Sequence, residues 1–193
     1  GVYMNAEVFV NGHNLGIHPY GYSSFYHDIT PYLKAGKNVI AVRVDNSGQK
    51  NCRWYTGSGI YRNVKLIRTP KAHFEPWGIG ITTEQVNRKT QVKVEATLAN
   101  RNKALPATLL CTVTNLDGHT ILTQKETVTL EANRTSKVKL QLPFENAKLW
   151  SPETPNLYRM VCCLVPDNGE PADTVTTTFG VRHVEYSAEK GLV

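Results

Sequence analysis

Acidic side chains are the residues of this chain that are best suited to acid–base chemistry. A working pair needs one carboxyl group with a raised pKa beside a second one that stays ionised. The candidates stand in predicted turns or at predicted strand ends, with no spacing that pairs them: Glu75, Glu145, Glu153, Asp167 and Asp173. The sequence has no Ser–His–Asp or Cys–His signature either. We therefore expect solvated surface carboxylates and no catalytic residue in this chain.

The four cysteines and six histidines lack the spacing of metal ligands. Cys52 stands alone, and Cys111 lies in a strand-like run. Cys162 and Cys163 are adjacent, so they face opposite sides of a predicted strand. No CxxC pair is present, which argues against a zinc site. The pattern predicts reduced cysteines, some of them in the core, with no metal and no cofactor.

Composition excludes several classes of protein. The 22 Lys and Arg residues exceed the 16 Asp and Glu residues, which gives a formal net charge of +6. The basic residues are scattered, so they favour a solvated surface over nucleic-acid binding. No apolar stretch approaches the roughly 18 residues that span a bilayer. The 40% hydrophobic content is enough for a core, and the many Val, Thr and Ile residues favour strands.

The first third of the chain has the pattern of short strands joined by sharp turns. Apolar and polar residues alternate over Met4–Val10 and Val39–Val44, as in half-buried strands. Asn11-Gly12 is a strong signal for a hairpin turn. The other predicted elements are a strand over Asn14–Ile17, a strand or extended loop over Tyr22–Asp28, a helical turn over Asp28–Leu33, a polar loop over Asp45–Gly59 and a strand over Ile60–Ile67.

After Thr69-Pro70 the predicted strands follow one another at the regular spacing of a β-sandwich. Asp117-Gly118 and Asn168-Gly169 are turn signals, and the proline-rich Leu149–Pro155 segment predicts a rigid crossing loop. Seven strands are predicted, near His73–Thr83, Gln91–Leu98, Ala107–Thr114, Thr120–Leu130, Ser136–Leu142, Leu157–Leu164 and Asp173–Phe179.

An ordered set of motifs in this chain resembles glycoside hydrolase family 2. The segments similar to the sugar-binding jelly-roll domain of that family are Val8–Gly12, Gly21-Tyr22, Asp28–Thr30, Asn38–Asn46 and Arg53–Val64. Those similar to its immunoglobulin-like domain, and to the junction with its catalytic barrel, are His73-Phe74, Trp77-Gly78, Leu149–Tyr158 and Phe179–Arg182. The run RWYTGSGIYR over residues 53–62 is the most specific of them.

The resemblance implies an all-β fold, in which a partial jelly-roll (galactose-binding-like) segment precedes an immunoglobulin-like β-sandwich. The expected boundaries are 1–69 for the end of the jelly roll, 70–183 for the sandwich and 184–193 for the start of a barrel. We expect an internal piece of a retaining β-glycosidase of β-galactosidase type, with its two catalytic glutamates outside this chain. Its partners would be the (β/α)₈ barrel of the same polypeptide, β-galactoside sugars and, in the full enzyme, further copies.

The same resemblance places the candidate substrate-binding residues on two loops of the jelly-roll domain. Asn11 matches the asparagine of the VNG turn, and a polar residue before the RWY run falls among Asn51, Cys52 and Arg53. Trp54 completes the candidate set of Asn11, Asn51, Arg53 and Trp54. Some family members have an aspartate before the RWY run and this chain does not, which leaves the hexose open. The alternatives to substrate binding are turn geometry alone for Asn11 and packing between domains for Arg53 and Trp54.

A different class of function stays open beside the enzymatic one. Exposed aromatic residues could make the chain a stand-alone carbohydrate-binding or adhesion module, with the platform Tyr20, Tyr22, Trp54 and Tyr55. The barrel-like junction at Phe179–Arg182 argues against this alternative. Cytoplasmic and bacterial periplasmic locations both fit the sequence.

Overall fold

The structure of the protein is a computed structural model. It describes residues 1–48, 55–86, 89–169, 173–182, 184, 186–189 and 191–192. The chain divides into two compact units, Gly1–Ile67 and Arg68–Val193. Both units are built from strands, as the sequence predicts, and the one helical element in the described residues is a 3₁₀ turn over Thr30–Tyr32. No helix in this described part of the chain is long and apolar enough to cross a membrane.

The first unit contains a three-stranded antiparallel sheet in the order β3–β2–β4. A separate two-stranded pair joins β1 to β5. In β2 the side chains of Ala6, Val8 and Val10 are buried, whereas Glu7 and Phe9 are half-buried on the other face. The alternation predicted for Met4–Val10 is thereby confirmed from Ala6 onward, where the strand begins. The strands are β1 Val2–Tyr3, β2 Ala6–Val10, β3 His13–His18, β4 Ile40–Arg43 and β5 Gly59–Ile60.

The strand predicted over Ile60–Ile67 is wrong beyond its first residue. β5 ends at Ile60, and the following backbone N–H groups of Tyr61 and Arg62 both donate to the carbonyl oxygen of Gly1. Pairing of β5 therefore ends opposite the first residue of β1, Val2. Val64 and Leu66, which would belong to the predicted strand, are 73% and 80% exposed. Alternation in sequence alone does not make a strand, because the ladder also needs a partner.

The second unit is a β-sandwich of seven strands, the number that the sequence predicts. One antiparallel sheet has the order β10–β7–β6 and the other has the order β12–β11–β8–β9. The strands are β6 Ala72–Val86, β7 Lys89–Asn100, β8 Leu105–Thr114, β9 Thr120–Leu130, β10 Arg134–Phe144, β11 Tyr158–Pro166 and β12 Asp173–Phe179. A short hairpin follows, β13 Tyr186–Ser187 with β14 Gly191–Leu192.

One continuous core lies between the two sheets of the sandwich. Every second residue of each central strand is buried, since successive side chains of a strand point to opposite faces. The largest buried side chains include Leu98, Leu142, Leu109, Met160 and Leu164. Burial of a side chain of this size stabilises the fold by about 1.5–3 kcal/mol. The apolar periodicity read from the sequence therefore fixes which face of each sheet points inward.

Asn100 is a fully buried polar residue at the end of β7. Its Nδ2 donates to the carbonyl oxygens of Lys103, Leu130 and Glu131, at 2.9, 3.3 and 3.1 Å. Its Oδ1 accepts from the backbone N–H of Asn102 at 2.9 Å. The side chain thus joins the end of β7 to the end of β9, and these strands belong to different sheets. A buried amide is tolerated when its donors and acceptor are all satisfied.

A β-bulge interrupts β6 where it pairs with β7, between Phe74 and Ile79. Within the bulge Trp77 has a φ of 55° and is 68% exposed. A Cβ atom on Gly78 would lie 2.6 Å from the carbonyl oxygen of Glu75 and 2.8 Å from that of Thr97. Both obstacles are backbone atoms, so they cannot move aside easily. Position 78 therefore requires glycine.

Gly78→Ala is expected to lower the free energy of unfolding by roughly 1–3 kcal/mol, because an overpacked site forces the backbone to shift. Gly80→Ala in the same strand is the matched control, since the nearest atom to its Cβ would lie at 3.9 Å, an ordinary contact. Urea titration of both variants and the parent chain measures the difference. Equal midpoints for the two variants would contradict the prediction.

Candidate functional site

Asn11 lies in the two-residue turn between β2 and β3. Asn11 and Gly12 both have positive φ, 49° and 88°, and the flanking residues Val10 and His13 are paired. This is the geometry that the Asn-Gly pair predicts, because a turn of this kind needs positive φ at both central residues. The hairpin turn is confirmed, and asparagine suits its first position without strain.

The side chain of Asn11 ties this turn to the entry of β4. Its Nδ2 donates to the carbonyl oxygen of Tyr32 and to Oδ1 of Asn38, both at 2.8 Å. Its Oδ1 accepts from the backbone N–H of Val39 at 3.0 Å, and its own N–H donates to the carbonyl oxygen of Val39 at 2.9 Å. Both amide hydrogens are used, which leaves the second lone pair of Oδ1 as the remaining hydrogen-bonding capacity.

Asn38 is the residue of this network that the sequence analysis missed as a site residue. Its Nδ2 donates to the carbonyl oxygens of Lys34 and Gly36, and its Oδ1 also accepts from the N–H of Lys34. Asn38 thereby closes the turn before β4 and orients the amide of Asn11. The Gly-Lys-Asn sequence of residues 36–38 predicts a turn. It gives no sign of the contact with Asn11, because the two asparagines are far apart in sequence. These bonds give Asn11 a structural role, and a sugar contact from it stays a prediction.

Three of the candidate residues, Asn51, Arg53 and Trp54, fall in the segment 49–54 and lie outside the described residues. On its N-terminal side the described chain forms a tight turn, in which the hydroxyl and N–H of Ser47 donate to Oδ1 of Asp45 at 2.7 and 3.0 Å. The hydrogen bonds from Ser47 lower the pKa of Asp45 below its ordinary value. On the C-terminal side Tyr55 is 94% exposed.

Aromatic residues concentrate in the loop that follows β3. Tyr20 and Tyr22 are mostly exposed, and their ring centroids are 5.7 Å apart in an edge-to-face arrangement. His18 stacks on Phe25 at 4.4 Å, and Phe25 packs edge-on against His27. Burial lowers the pKa of His27 and the nearby charge of His18 lowers it further, so the neutral ring is favoured in the fold. Exposed tyrosine rings of this kind can stack on a flat apolar ligand face.

A polar groove of about 420 Å³ crosses the sheet of the first unit. Its central carboxylate, Glu7, accepts a hydrogen bond from Asn14 at 2.7 Å and lies 3.4 Å from the guanidinium of Arg43. Register explains the contact with Arg43, because Glu7 stands directly opposite it in the β2–β4 pair. The lining is Asn5, Glu7, Asn14, Gly16, Ile17, Arg43 and Asp45.

Three of the candidate carboxylates in the second unit contact a cation or a backbone N–H. Glu75 lies 3.3 Å from Arg101, and Glu145 lies 3.3 Å from Lys89. Asp173 is partly buried, and its Oδ2 accepts from the N–H of Phe74 at 2.8 Å, which joins β12 to β6. Across the described ranges of the chain, no cluster of three or more His, Cys, Asp or Glu residues is placed to hold a metal ion.

The loop Leu149–Pro155 is held by contacts with the segment that follows β12. The N–H of Trp150 donates to the carbonyl oxygen of Val181 at 2.7 Å, and the guanidinium of Arg182 lies 5.7 Å from the Trp150 ring. Gly180 leaves room for that ring, because a Cβ there would lie 2.9 Å from Cβ of Trp150. The predicted crossing loop is confirmed, and it braces the segment that follows β12.

Together these features define an all-β protein with an immunoglobulin-like sandwich and a smaller unit that presents polar and aromatic side chains. The model of glycosyl hydrolases family 2, sugar binding domain, matches residues 1–70. The model of glycosyl hydrolases family 2 matches residues 72–182. The chain therefore belongs to glycosyl hydrolase family 2.

Relatives of known name are longer than this chain. It is 42% identical to beta-galactosidase BoGH2A of Bacteroides ovatus, over 99% of this chain and 23% of that protein. It is 41% identical to a putative beta-glucuronidase of Formosa agariphila, over 99% of this chain and 18% of that protein. A solved family 2 member from Bacteroides cellulosilyticus has a TM-score of 0.87 and 37% identity, over 100% of this chain and 27% of its own. The chain thus spans about a quarter or less of these relatives.

Asn11→Gly is expected to speed hydrogen exchange at the Val39 amide and to destabilise the first unit by about 2 kcal/mol. Glycine keeps the positive φ but removes three side-chain hydrogen bonds, each of which contributes about 0.5–1.5 kcal/mol. Exchange measured by NMR reads the Val39 amide directly. Asn14→Ala is the control, because its hydrogen bonds to Glu7 and Gly16 do not involve Val39. Unchanged exchange at Val39 in Asn11→Gly would refute the structural role.

Proposed function

We propose that this chain is a non-catalytic part of a longer retaining β-glycosidase that hydrolyses terminal non-reducing β-D-galactosides. In this proposal residues 1–69 are the end of a jelly-roll domain, residues 70–183 are the sandwich, and residues 184–193 lead into a catalytic barrel. Two barrel glutamates about 5–5.5 Å apart would act as nucleophile and as acid/base. The chain itself shapes the rim of the sugar site and braces the barrel.

The observation that carries this proposal is the uninterrupted match of two family 2 domains, in order, over residues 1–70 and 72–182. The relatives extend well beyond the matched region, which supports a larger polypeptide. The 42% identical protein is named as a beta-galactosidase and the 41% identical one as a putative beta-glucuronidase, so these names support a β-glycoside substrate, and the choice of the galactoside is our proposal. The contacts of Glu75, Glu145 and Asp173 with cations and a backbone N–H support a chain that depends on carboxylates elsewhere for hydrolysis.

Contacts within the second unit support the proposed bracing role. The segment 180–182 is fixed to the loop at Trp150 by a backbone hydrogen bond and by a cation–π contact. Thr83 Oγ1 also donates to the carbonyl oxygen of Arg182 at 3.2 Å, which ties the same segment to β6. A domain that follows Arg182 would thus start from a fixed point. In the first unit the hydrogen-bonded turn of Asn11 would hold its free Oδ1 lone pair toward a sugar hydroxyl.

The assay compares the 193-residue chain with the intact polypeptide from its natural host, whose mass is measured first. We expect a mass several times that of the chain, no turnover by the chain alone, and faster hydrolysis of nitrophenyl β-D-galactoside than of nitrophenyl β-D-glucuronide by the intact protein. Asn11→Ala in the intact protein should lower kcat/KM roughly tenfold, the value of one lost hydrogen bond. Hydrolysis by the isolated chain would refute its non-catalytic role, and a preference for the glucuronide would refute the galactoside.

A carbohydrate-binding or adhesion module is the second candidate, and the groove around Glu7 and Arg43 favours it. The groove volume lies in the range of about 300–1,000 Å³ that ligand sites have. The exposed rings of Tyr20 and Tyr22 offer a stacking surface in the same unit. This candidate expects saturable binding of galactose or lactose to the 193-residue chain by calorimetry, with loss of binding in Tyr20→Ala and retention in Leu116→Ala. If the chain binds neither sugar at millimolar concentration, the binding-module candidate is refuted.

A further inference from the structure

Two cysteine thiols face each other inside the sandwich. Cys111 in β8 and Cys162 in β11 are direct partners in the antiparallel register, and each is 0% exposed. Their sulfur atoms are 3.5 Å apart. Cys163, the next residue of β11, points to the opposite face, where the hydroxyl of Thr174 donates to its sulfur. The alternation of the strand thus pairs Cys111 with Cys162 and keeps Cys163 apart.

The backbone geometry of this pair fits a covalent bond. Residues directly opposite in an antiparallel pair have Cα atoms about 4.5–5.5 Å apart. Disulfides span Cα separations of about 4.4–6.8 Å. Closing the contact to a bond of about 2.05 Å needs rotation of the two side chains, and no movement of a strand.

We propose that Cys111 and Cys162 are a redox modification site, which a peroxide converts to a disulfide within one sheet. Hydrogen peroxide first oxidises one thiol to a sulfenic acid and leaves as water. The second sulfur then attacks the sulfenic sulfur, the S–S bond forms, the S–O bond breaks and a second water leaves. In total two thiols and one peroxide give one disulfide and two waters. Each sulfur is oxidised, and the peroxide is reduced.

The two buried thiols share one hydrogen bond, in which either sulfur can be the donor. This hydrogen bond lowers the pKa of Cys111. The same hydrogen bond and burial both raise the pKa of Cys162. The thiolate is the form that attacks an oxidant, and the same disulfide results whichever of the two sulfurs is oxidised first. Burial makes the reaction slow, because peroxide must enter through local opening of the strands.

The bond would close a loop that contains both β9 and β10, the strands between the two cysteines. Closing a loop of this length constrains the unfolded chain, so the oxidised sandwich should melt at a higher temperature than the reduced one. β11 would be linked covalently to β8, its neighbour at the centre of the four-stranded sheet. The reduced and oxidised forms would therefore share one fold and differ in stability.

The test treats the folded 193-residue chain with hydrogen peroxide, alkylates the remaining thiols and maps cross-linked peptides by mass spectrometry. We expect one cross-link, Cys111 to Cys162, and no alkylation of these two cysteines in the cross-linked protein. Cys163→Ala should give the same cross-link, whereas Cys111→Ala and Cys162→Ala should abolish it. Treatment in denaturing urea should remove the preference for this pair.

Results with the parent chain alone can support or overturn the proposal, even if the alanine variants at the buried cysteines fail to fold. Retention of all four thiols after prolonged treatment, or cross-links through Cys52 or Cys163 in the folded protein, would overturn the proposal. A melting temperature that is equal for the oxidised and reduced chains would overturn the stabilising role. A rise of several degrees that a thiol reductant reverses would support both parts.

Discussion

Strand register is the constraint on which the rest of the sandwich depends. Because side chains alternate, a slip of one residue between β7 and β10 would turn Leu98 and Leu142 away from the core. The buried amide of Asn100 adds a second, directional requirement, since its partners lie at fixed places on the loop after β7 and at the end of β9. Apolar burial thus provides most of the stability, and Asn100 contributes specificity of register.

Two asparagines, Asn100 and Asn11, differ in how much of their hydrogen-bonding capacity the fold uses. Asn100 is buried and has every polar atom satisfied within the fold, so it has nothing to offer a ligand. Asn11 is half-buried and keeps one lone pair of Oδ1 after three internal hydrogen bonds. A residue held in this way loses little freedom when it accepts one more hydrogen bond. A structural turn and a sugar-contacting rim are therefore compatible at position 11.

The sequence correctly predicted the parts of the fold that depend on short-range backbone preferences. The Asn11-Gly12 turn, the Asp117-Gly118 hairpin and the alternation of the seven sandwich strands follow from φ preferences and side-chain periodicity. The bulge at Trp77, the early end of β5 at Ile60 and the contact of Asn38 with Asn11 depend on which strand lies opposite. Strand or hydrogen-bond partners that are distant in sequence produce no periodic pattern in it, so these features could be found only in the folded structure.

Overall similarity to its relatives does not tell which sugar this chain would help to bind. The chain is almost equally identical to a protein named as a beta-galactosidase and to one named as a putative beta-glucuronidase, at 42% and 41%. A glucuronide differs from a galactoside by the configuration of its C4 hydroxyl and by its C6 carboxylate. Recognition of the carboxylate demands a cation or several N–H donors placed against it. Those donors must come from positions at which the relatives differ, or from parts of the longer proteins outside the matched region. In the sugar contact that we propose for Asn11, its Oδ1 would accept from a hydroxyl common to both sugars and would not select between them.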